Sequence, residues 1–342
     1  MNIPYRTRNL LKRLGITLLA VLVVTALVLF FWFVWLQRFV IYTRDQGAVL
    51  DLTAPQTWEG GVLAVPPEKS ETIPIYYNEG EGALNVTREL SQIVGYYADR
   101  SALEKSVDGV IEQVKALPRG TPIMVDVKNP KGAFYYSSTV AEHRSNKVDP
   151  VKMDELIDIL NKNGGYLIAR VPALRDYYYG LRHVRDGIPT AKGYLWVDRT
   201  DGYYYWLNPA KQGTQSYLLQ IINELKGLGF DEVVLDDFRI PSNKDIVFNA
   251  DRGETLAEAA KTLVSVASTE TFTLSFVKKT DSFTLPEGRC RLYLENVSAA
   301  DADSVAQSAG ITDSNIRLVF LTEVHDTRFD TYSVLRPLEA AH

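Results

Sequence analysis

From about residue 91 onward, short apolar runs alternate with stretches in which apolar residues recur every three or four positions. The first pattern is typical of buried strands and the second of one apolar helix face. The pattern predicts strands at 93–97, 122–127, 166–171, 232–237, 272–276, 291–295 and 316–323. It predicts helices at 101–117, 150–161, 216–228, 254–267 and 301–308.

This alternation predicts a parallel sheet whose strands are joined by helical crossovers. An eighth strand is expected near residues 332–335 or in the N-terminal region. A (β/α)8 TIM-like barrel fits the length of 342 residues and the number of strands best, and an open doubly wound sheet is the alternative. No glycine-rich phosphate-binding turn follows the first strand, which disfavours the nucleotide-binding form of that alternative.

Residues 14–36 are almost wholly apolar and carry no charge. A helix of about 23 residues can cross the hydrocarbon of a bilayer. The basic residues before this segment outnumber those just after it, which predicts a cytoplasmic N-terminus and an extracytoplasmic remainder. We therefore expect a single-pass signal anchor in the cell membrane, with the lipid bilayer as a partner. A cleaved signal peptide is the alternative, but a shorter apolar core and a small-residue cleavage site would then be expected.

The predicted organisation is a cytoplasmic tail at 1–13, the anchor at 14–36, a juxtamembrane linker with short strands at 37–90, and the barrel at 91–342. One short strand of the linker is predicted at 73–77. The net charge of −5 and the lack of a basic stripe argue against a nucleic-acid partner. The four histidines lack metal-binding spacing, and no metal or other cofactor is expected.

Charged side chains stand at the ends of five predicted strands, where a barrel gathers its functional groups. A single such charge is usually part of an ion pair, but five together indicate a polar pocket. The clearest case is the apolar run 233–235, which ends in Asp236 and Asp237. Successive side chains of a strand point to opposite faces, so a regular strand cannot send both into one site. The charged residues at the other strand ends are Asp126 with Lys128, Arg170, Glu295, and Glu323.

Aromatic residues are concentrated after the third predicted strand, at Trp196, Trp206, 177–179 and 203–205. Aromatic faces beside carboxylates suit the stacking of sugar rings. The alternative is that these residues pack as a cap over the barrel mouth.

Four segments, 123–138, 167–176, 196–209 and 229–241, resemble in order the motifs of a bacterial family. Its members are catalogued as glycoside hydrolases with an α-amylase-like TIM barrel, after an earlier listing as a domain of unknown function. Where the family usually has Asp-Tyr-Val-Arg-Phe-Pro, this chain has Asp-Asp-Phe-Arg-Ile-Pro at 236–241. The resemblance implies a barrel, a carbohydrate substrate, and Asp236 as the family's acid, with Asp237 in the place of tyrosine.

We therefore predict a glycoside hydrolase that acts on an envelope or environmental polysaccharide with two carboxyl groups. Asp236 is the predicted nucleophile or base, and Glu323 or Glu295 the predicted acid, with Asp126 next in order. A catalytically inactive carbohydrate-binding or cell-envelope scaffolding protein is the alternative. The predicted substrate-binding residues are Asp126, Lys128, Arg170, Asp176, Trp196, Trp206, Asn208, Asp237 and Arg239.

Overall fold

The structure is a computed structural model that describes residues 18–19, 21–32, 40–43, 47–50, 90–279 and 283–338. The chain divides into two units, Met1–Gly82 and Ala83–His342. In the first unit, residues 18–19 and 21–32 are helical with exposed side chains, and Val40–Thr43 pairs with Gly47–Leu50 in an antiparallel arrangement.

Among the described residues, no helix combines the length and the apolar character needed to cross a membrane. The predicted anchor at 14–36 is only partly described, since residues 14–17, 20 and 33–36 lie outside the described set. The predicted strand at 73–77 and the rest of the linker from 51 to 89 also lie outside it.

Eight parallel strands of the second unit close into a barrel. Each strand pairs with the next along the chain, and the last pairs with the first. The predicted barrel is confirmed, and the open sheet is not formed because the eighth strand covers the free edge of the first. The strands are β1 Val94–Ala98, β2 Ile123–Asp126, β3 Leu167–Pro172, β4 Glu232–Asp236, β5 Thr273–Val277, β6 Leu292–Glu295, β7 Leu318–Leu321 and β8 Ser333–Pro337.

Helices surround the barrel, and several of the predicted bounds were wrong, two of them for a clear local reason. The helix predicted at 101–117 is two helices, because Ser106 takes an extended backbone and its hydroxyl accepts a hydrogen bond from Gly109 N–H at 3.0 Å. The strand predicted at 316–323 begins later, since residues 314–317 form one helical turn. No helix occurs among the described residues between β5 and β6. The helices are α1 Arg100–Lys105, α2 Val107–Ala116, α3 Pro150–Asn163, α4 Tyr177–Arg182, α5 Gln212–Gly227, α6 Arg252–Ala267, α7 Ala302–Ser308 and α8 Ser314–Arg317.

Apolar side chains cover both faces of the strands, as expected for a parallel sheet enclosed by helices. One set packs inside the barrel and includes Met124, Ile168 and Val234. The other set faces the helices and includes Val125 and Ala169. Because strand side chains alternate, the residue two positions after each interior residue points inward again, now at the carboxyl end of the barrel.

The opposite end of the barrel is closed by a buried polar network around Glu232 and Arg291, which are 0% and 1% exposed. Their side chains form an ion pair. The hydroxyls of Tyr166 and Tyr293 donate hydrogen bonds to the Glu232 carboxylate at 2.9 and 3.0 Å. A buried ion pair is tolerated when further hydrogen bonds satisfy it, as they do here.

We expect Glu232→Gln to lower the free energy of unfolding by about 3 kcal/mol, because it leaves the Arg291 charge buried without a counter-ion. Urea unfolding monitored by circular dichroism would measure the change. The control is Asp108→Asn, which breaks the exposed ion pair of Asp108 with Lys152 and should cost less than about 1 kcal/mol. Equal losses in the two variants would contradict the structural role of the buried pair.

Candidate active site

A cavity of about 670 Å³ opens at the carboxyl ends of the barrel strands. Its floor is a ring of polar side chains, each placed where an inward-pointing position falls at the end of a strand or just beyond it. Most of these positions follow an apolar interior residue by two, so strand alternation sends them all into the same space. The residues of the ring are Tyr97, Asp126, Arg170, Asp236, Lys279, Glu295 and Glu323.

Two cations hold two carboxylates together in the middle of this ring. Arg170 Nη2 bonds Asp236 and lies 2.5 Å from Glu295 Oε1. Lys279 Nζ lies 2.9 Å from Asp236 Oδ1 and 2.7 Å from Glu295 Oε2, so these two oxygens are at most 5.6 Å apart, the sum of the two distances. The predicted nucleophile and one predicted acid therefore lie side by side.

Both oxygens of Asp236 are occupied by donors. Oδ2 accepts from Arg170 Nε at 3.0 Å, and Oδ1 accepts from the backbone N–H of Asp237 at 2.6 Å as well as from Lys279. Burial by itself raises the pKa of Asp236, but the charges of Arg170 and Lys279 outweigh burial and lower the pKa to about 2. Asp236 is thus an anion over the whole physiological pH range.

Asp126, at the end of β2, is held more loosely. Its Oδ2 accepts from the backbone N–H of Arg100 at 2.8 Å, and its Oδ1 lies 3.9 Å from Arg170 Nε. Burial raises the pKa of Asp126 to about 6, although Arg170 and the Arg100 N–H act in the opposite direction. The negative charge of Asp236 adds to the rise. The environments of two carboxyl groups near Arg170 therefore push their pKa values apart.

Asp237 also lines the cavity, and it does so from outside the strand. It is the first residue after β4 and has a φ of 48°, in the left-handed region that asparagine and aspartate tolerate best after glycine. This turn is how both acids reach one site, which a regular strand could not achieve. The Asp237 carboxylate lies 3.8 Å from Arg175 Nη1 and 3.8 Å from Arg239 Nε. Burial, followed by the charge of Asp236, raises the pKa of Asp237.

Five of the residues predicted to bind substrate do not line the cavity: Asp176, Trp196, Trp206, Asn208 and Arg239. Trp206 is 0% exposed, and its indole N–H donates to Asp198 at 2.9 Å. Trp196 is buried, and the Asn208 side chain accepts from the backbone N–H of Ala210 at 3.0 Å. The burial of both tryptophans agrees with the alternative, in which these aromatic residues pack within the protein. The guanidinium of Arg239 lies 4.5 Å from the Trp206 ring centroid.

Lys128 and Asp176 form a fully buried ion pair of 2.6 Å. Lys128 Nζ also donates to the Pro172 carbonyl at 3.0 Å, and Asp176 caps α4 by accepting from Tyr179 N–H at 2.8 Å. Lys128 lines the cavity, whereas Asp176 lies behind it. Gly132 has a φ of +88°, and a Cβ there would meet Asp176 at 1.9 Å, so only glycine fits against this carboxylate. Lys128 and Asp176 therefore neutralise each other inside the protein.

Glu323 is exposed at the rim of the cavity, on the segment that follows β7. Several lining residues were missed from the sequence, among them Tyr97, Arg175 and Lys279. Lys279 follows the interior residue Val277 by two positions, and this parity could have revealed it if the strand had not been ended at 276. Arg175 lies three residues beyond β3 and stacks on Tyr204 at 3.7 Å, which no local pattern signals.

These features define the class of the protein: a parallel α/β barrel with a polar, carboxylate-rich cavity at the carboxyl ends of its strands. Residues 97–284 match the family described as "Putative glycosyl hydrolase domain", and the chain belongs to that family. The matched region contains Asp126, Arg170, Asp236 and Lys279, and it ends before Glu295 and Glu323.

The chain is similar to several solved structures at low sequence identity. An inactive mutant of an exo-β-N-acetylglucosaminidase from Vibrio harveyi has a TM-score of 0.52 at 9% identity, over 72% of this chain and 50% of that one. A cycloisomaltooligosaccharide glucanotransferase from Paenibacillus sp. has a TM-score of 0.50 at 12% identity, over 71% and 40% of the two chains. A hypothetical protein from Ruminiclostridium thermocellum has a TM-score of 0.45 at 20% identity, over 53% and 96%.

The structural match covers half or less of the length of each of these two enzymes. A sequence search of curated proteins returned no match.

We expect Arg170→Met to destabilise the protein in a pH-dependent way. The wild-type pKa of Asp236 is about 2, below its ordinary 3.8, so the stability from this group is present above pH 3.8 and is lost as the pH falls through 2. Without Arg170 the pKa values of Asp236 and Asp126 rise, and their ionisation then opposes folding. In urea unfolding, the free energy of unfolding of Arg170→Met should be lower than that of the wild type by roughly 3 kcal/mol near pH 7, and by less near pH 4.

The matched control is Lys152→Met, which removes a cation from the exposed pair with Asp108 and should show little loss at either pH. An Arg170→Met deficit of the same size at both pH values would refute the charge assignment.

Proposed function

We propose that the chain is a membrane-anchored, extracytoplasmic glycoside hydrolase that cleaves an envelope or environmental polysaccharide with two carboxyl groups. Membership of the glycosyl hydrolase family supports the reaction class. The observation that carries the mechanism is the placement of Asp236, a carboxylate at the floor of the cavity that Arg170 and Lys279 hold with charge-assisted contacts. Glycoside hydrolysis needs such an anion opposite the leaving group, where positive charge develops on the sugar ring.

The remaining groups of the ring fit this role. Arg170 and Lys279 keep Asp236 ionised and oriented, as pre-organised charges do in active sites. Asp237 and Arg175, whose charged groups are 3.8 Å apart, offer an acceptor and a donor to sugar hydroxyls from one wall. The volume of about 670 Å³ is within the usual range of small-ligand cavities.

The anchor is proposed from the uncharged stretch 14–36 and from the excess of basic residues before it. The described part of this stretch, residues 18–19 and 21–32, is helical and has exposed apolar side chains such as Leu22, Phe31 and Trp32. Such a surface is costly in water and is stabilised in lipid. The N-terminus is proposed to be cytoplasmic and the barrel to lie outside the membrane.

A carbohydrate-binding or scaffolding protein without turnover is the second candidate, and one observation favours it. Every oxygen of Asp236 is already engaged by Arg170, Lys279 or the Asp237 backbone. An attacking carboxylate must release at least one of these donors. A barrel that never releases them would bind sugars without cleaving them.

We expect Asp236→Asn to reduce hydrolysis at least about 100-fold, because the neutral amide cannot stabilise the cationic transition state. The assay is release of reducing ends by the full-length chain in detergent from extracted envelope polysaccharides, soluble α- and β-glucans and chitin oligosaccharides. Asp108→Asn, on an exposed side chain, is the matched control and should keep wild-type activity. Binding without turnover in all three proteins would support the scaffold, and turnover that survives in Asp236→Asn would refute the assignment of Asp236.

The topology is tested by reporter fusions in a bacterial host. We expect alkaline phosphatase fused after residue 90 to be active and green fluorescent protein at the same point to be dark, because the barrel side is exported. Deletion of residues 14–36 should release the chain from the membrane fraction. A bright fluorescent fusion with an inactive phosphatase would overturn the orientation.

A further inference from the structure

We propose that Asp126, rather than Glu295 or Glu323, is the carboxyl group that donates the proton to the leaving oxygen. This assignment rests on the proposed hydrolase function and names a catalytic residue within the same cavity. It follows from how the two central cations are distributed among the carboxyl groups of the ring.

Both oxygens of Glu295 are engaged by cations. Oε1 lies 2.5 Å from Arg170 Nη2 and Oε2 lies 2.7 Å from Lys279 Nζ. Each contact is a charge-assisted hydrogen bond, the stronger kind of hydrogen bond in proteins. Glu295 therefore serves as the counter-ion that completes the charge balance of Arg170 and Lys279.

Asp126 has the opposite surroundings. Oδ2 accepts one neutral hydrogen bond, from the Arg100 backbone, and Oδ1 stays 3.9 Å from Arg170 Nε, beyond hydrogen-bond distance. A proton on Oδ1 therefore displaces no donor, and Asp126 lines the cavity. The charged groups that face Asp126 are Arg170 on β3, Asp236 on β4, and Asp99 in the turn after β1. Two of these three are carboxyl groups, and the pKa of about 6 is the outcome of burial and this balance.

The spacing to Asp236 permits a retaining reaction. Arg170 Nε lies 3.0 Å from Asp236 Oδ2 and 3.9 Å from Asp126 Oδ1, so these oxygens are at most 6.9 Å apart, the sum of the two distances. Retaining enzymes hold their carboxyl groups about 5–5.5 Å apart and inverting ones about 6.5–9.5 Å. The upper limit covers the whole retaining range and only the beginning of the inverting range.

A retaining hydrolysis in this cavity has two steps. Asp126 gives its proton to the glycosidic oxygen, the bond from that oxygen to the anomeric carbon breaks, and its electron pair stays on the departing alcohol. An oxygen of Asp236 forms a bond to the anomeric carbon. Asp126, now an anion, then takes a proton from water, the water oxygen bonds to the anomeric carbon, and Asp236 leaves as the carboxylate.

The first arm of the test needs no substrate. The pKa of Asp126 is about 6 in the folded protein against an ordinary 3.8, so its stabilising contribution is present below 3.8 and is lost as the pH rises through 6. We expect the wild type to lose several degrees of unfolding temperature relative to Asp126→Asn between about pH 4 and pH 7, with little further change above that. Asp108→Asn is the control, and its unfolding temperature should change with pH in the same way as that of the wild type. Parallel profiles for wild type and Asp126→Asn would overturn the proposal.

The second arm separates catalysis from a structural role. Asp126→Ala should lose at least about 100-fold in kcat on natural glycans, and much less on dinitrophenyl glycosides of the released sugar, whose leaving group needs no proton. Sodium azide should rescue it and yield a glycosyl azide of retained configuration. Glu295→Ala should show neither leaving-group dependence nor azide rescue. The reverse result, with rescue of Glu295→Ala or of Glu323→Ala alone, would overturn the assignment.

The two hypotheses fail differently. If the wild type cleaves none of the glycans while Asp126 titrates as expected, the proposed function fails and the catalytic role of Asp126 falls with it. If the wild type cleaves a glycan and Asp126→Ala shows no leaving-group dependence, only the identity of the proton donor is wrong.

Discussion

The sharing of Arg170 and Lys279 among the surrounding acids is the interaction on which the site depends. Arg170 faces Asp126, Asp236 and Glu295, and Lys279 faces Asp236 and Glu295, in a partly buried space. The geometry decides which acids the two cations satisfy. Asp236 and Glu295 receive short contacts and Asp126 does not. Charges are expensive to bury unless they are paired, so this unequal pairing gives chemically identical carboxyl groups different protonation states. One carboxylate is fixed as an anion, and another is left able to carry a proton near neutral pH.

The barrel itself supports this arrangement at the level of strand register. Asp126 of β2 and Arg170 of β3 are register partners, and Asp236 of β4 stands opposite Pro172 of β3, two residues beyond Arg170. Because strand side chains alternate, all three follow an interior apolar residue by two positions and point to the inside of the barrel. The charged ring is therefore a direct result of where the apolar runs stop.

Much of the fold and part of the site could be predicted from the sequence, because the local spacing of apolar residues indicates the alternating strands and helices of a barrel. The strand and helix pattern identified the barrel, and the charges at strand ends identified Asp126, Arg170 and Asp236 as neighbours. The helix break at Ser106 was missed, since the apolar spacing continues through it and only the cap shows the break. Lys279 was missed because a strand end was placed one residue early.

Non-local partners account for the other differences. Lys128 and Asp176 were predicted to bind substrate. In the structure they are buried against each other, and Lys128 also contacts Pro172, which is 44 residues away in the chain. The tyrosine clusters read as sugar platforms, yet Tyr177 stacks on Tyr205 and Tyr179 on Tyr217, with ring centroids 5.2 and 3.8 Å apart. Sequence spacing cannot tell a ring that faces solvent from one that faces another ring.

The Glu232–Arg291 network has a consequence for how a ligand enters and leaves the cavity. Together with the apolar layer above it, this network fills the barrel beneath the polar ring. The cavity therefore opens at the carboxyl ends of the strands and is closed at the other end of the barrel among the described residues. For the proposed hydrolase this means that substrate enters and product leaves through the same opening, so that product bound there would compete with the next substrate chain.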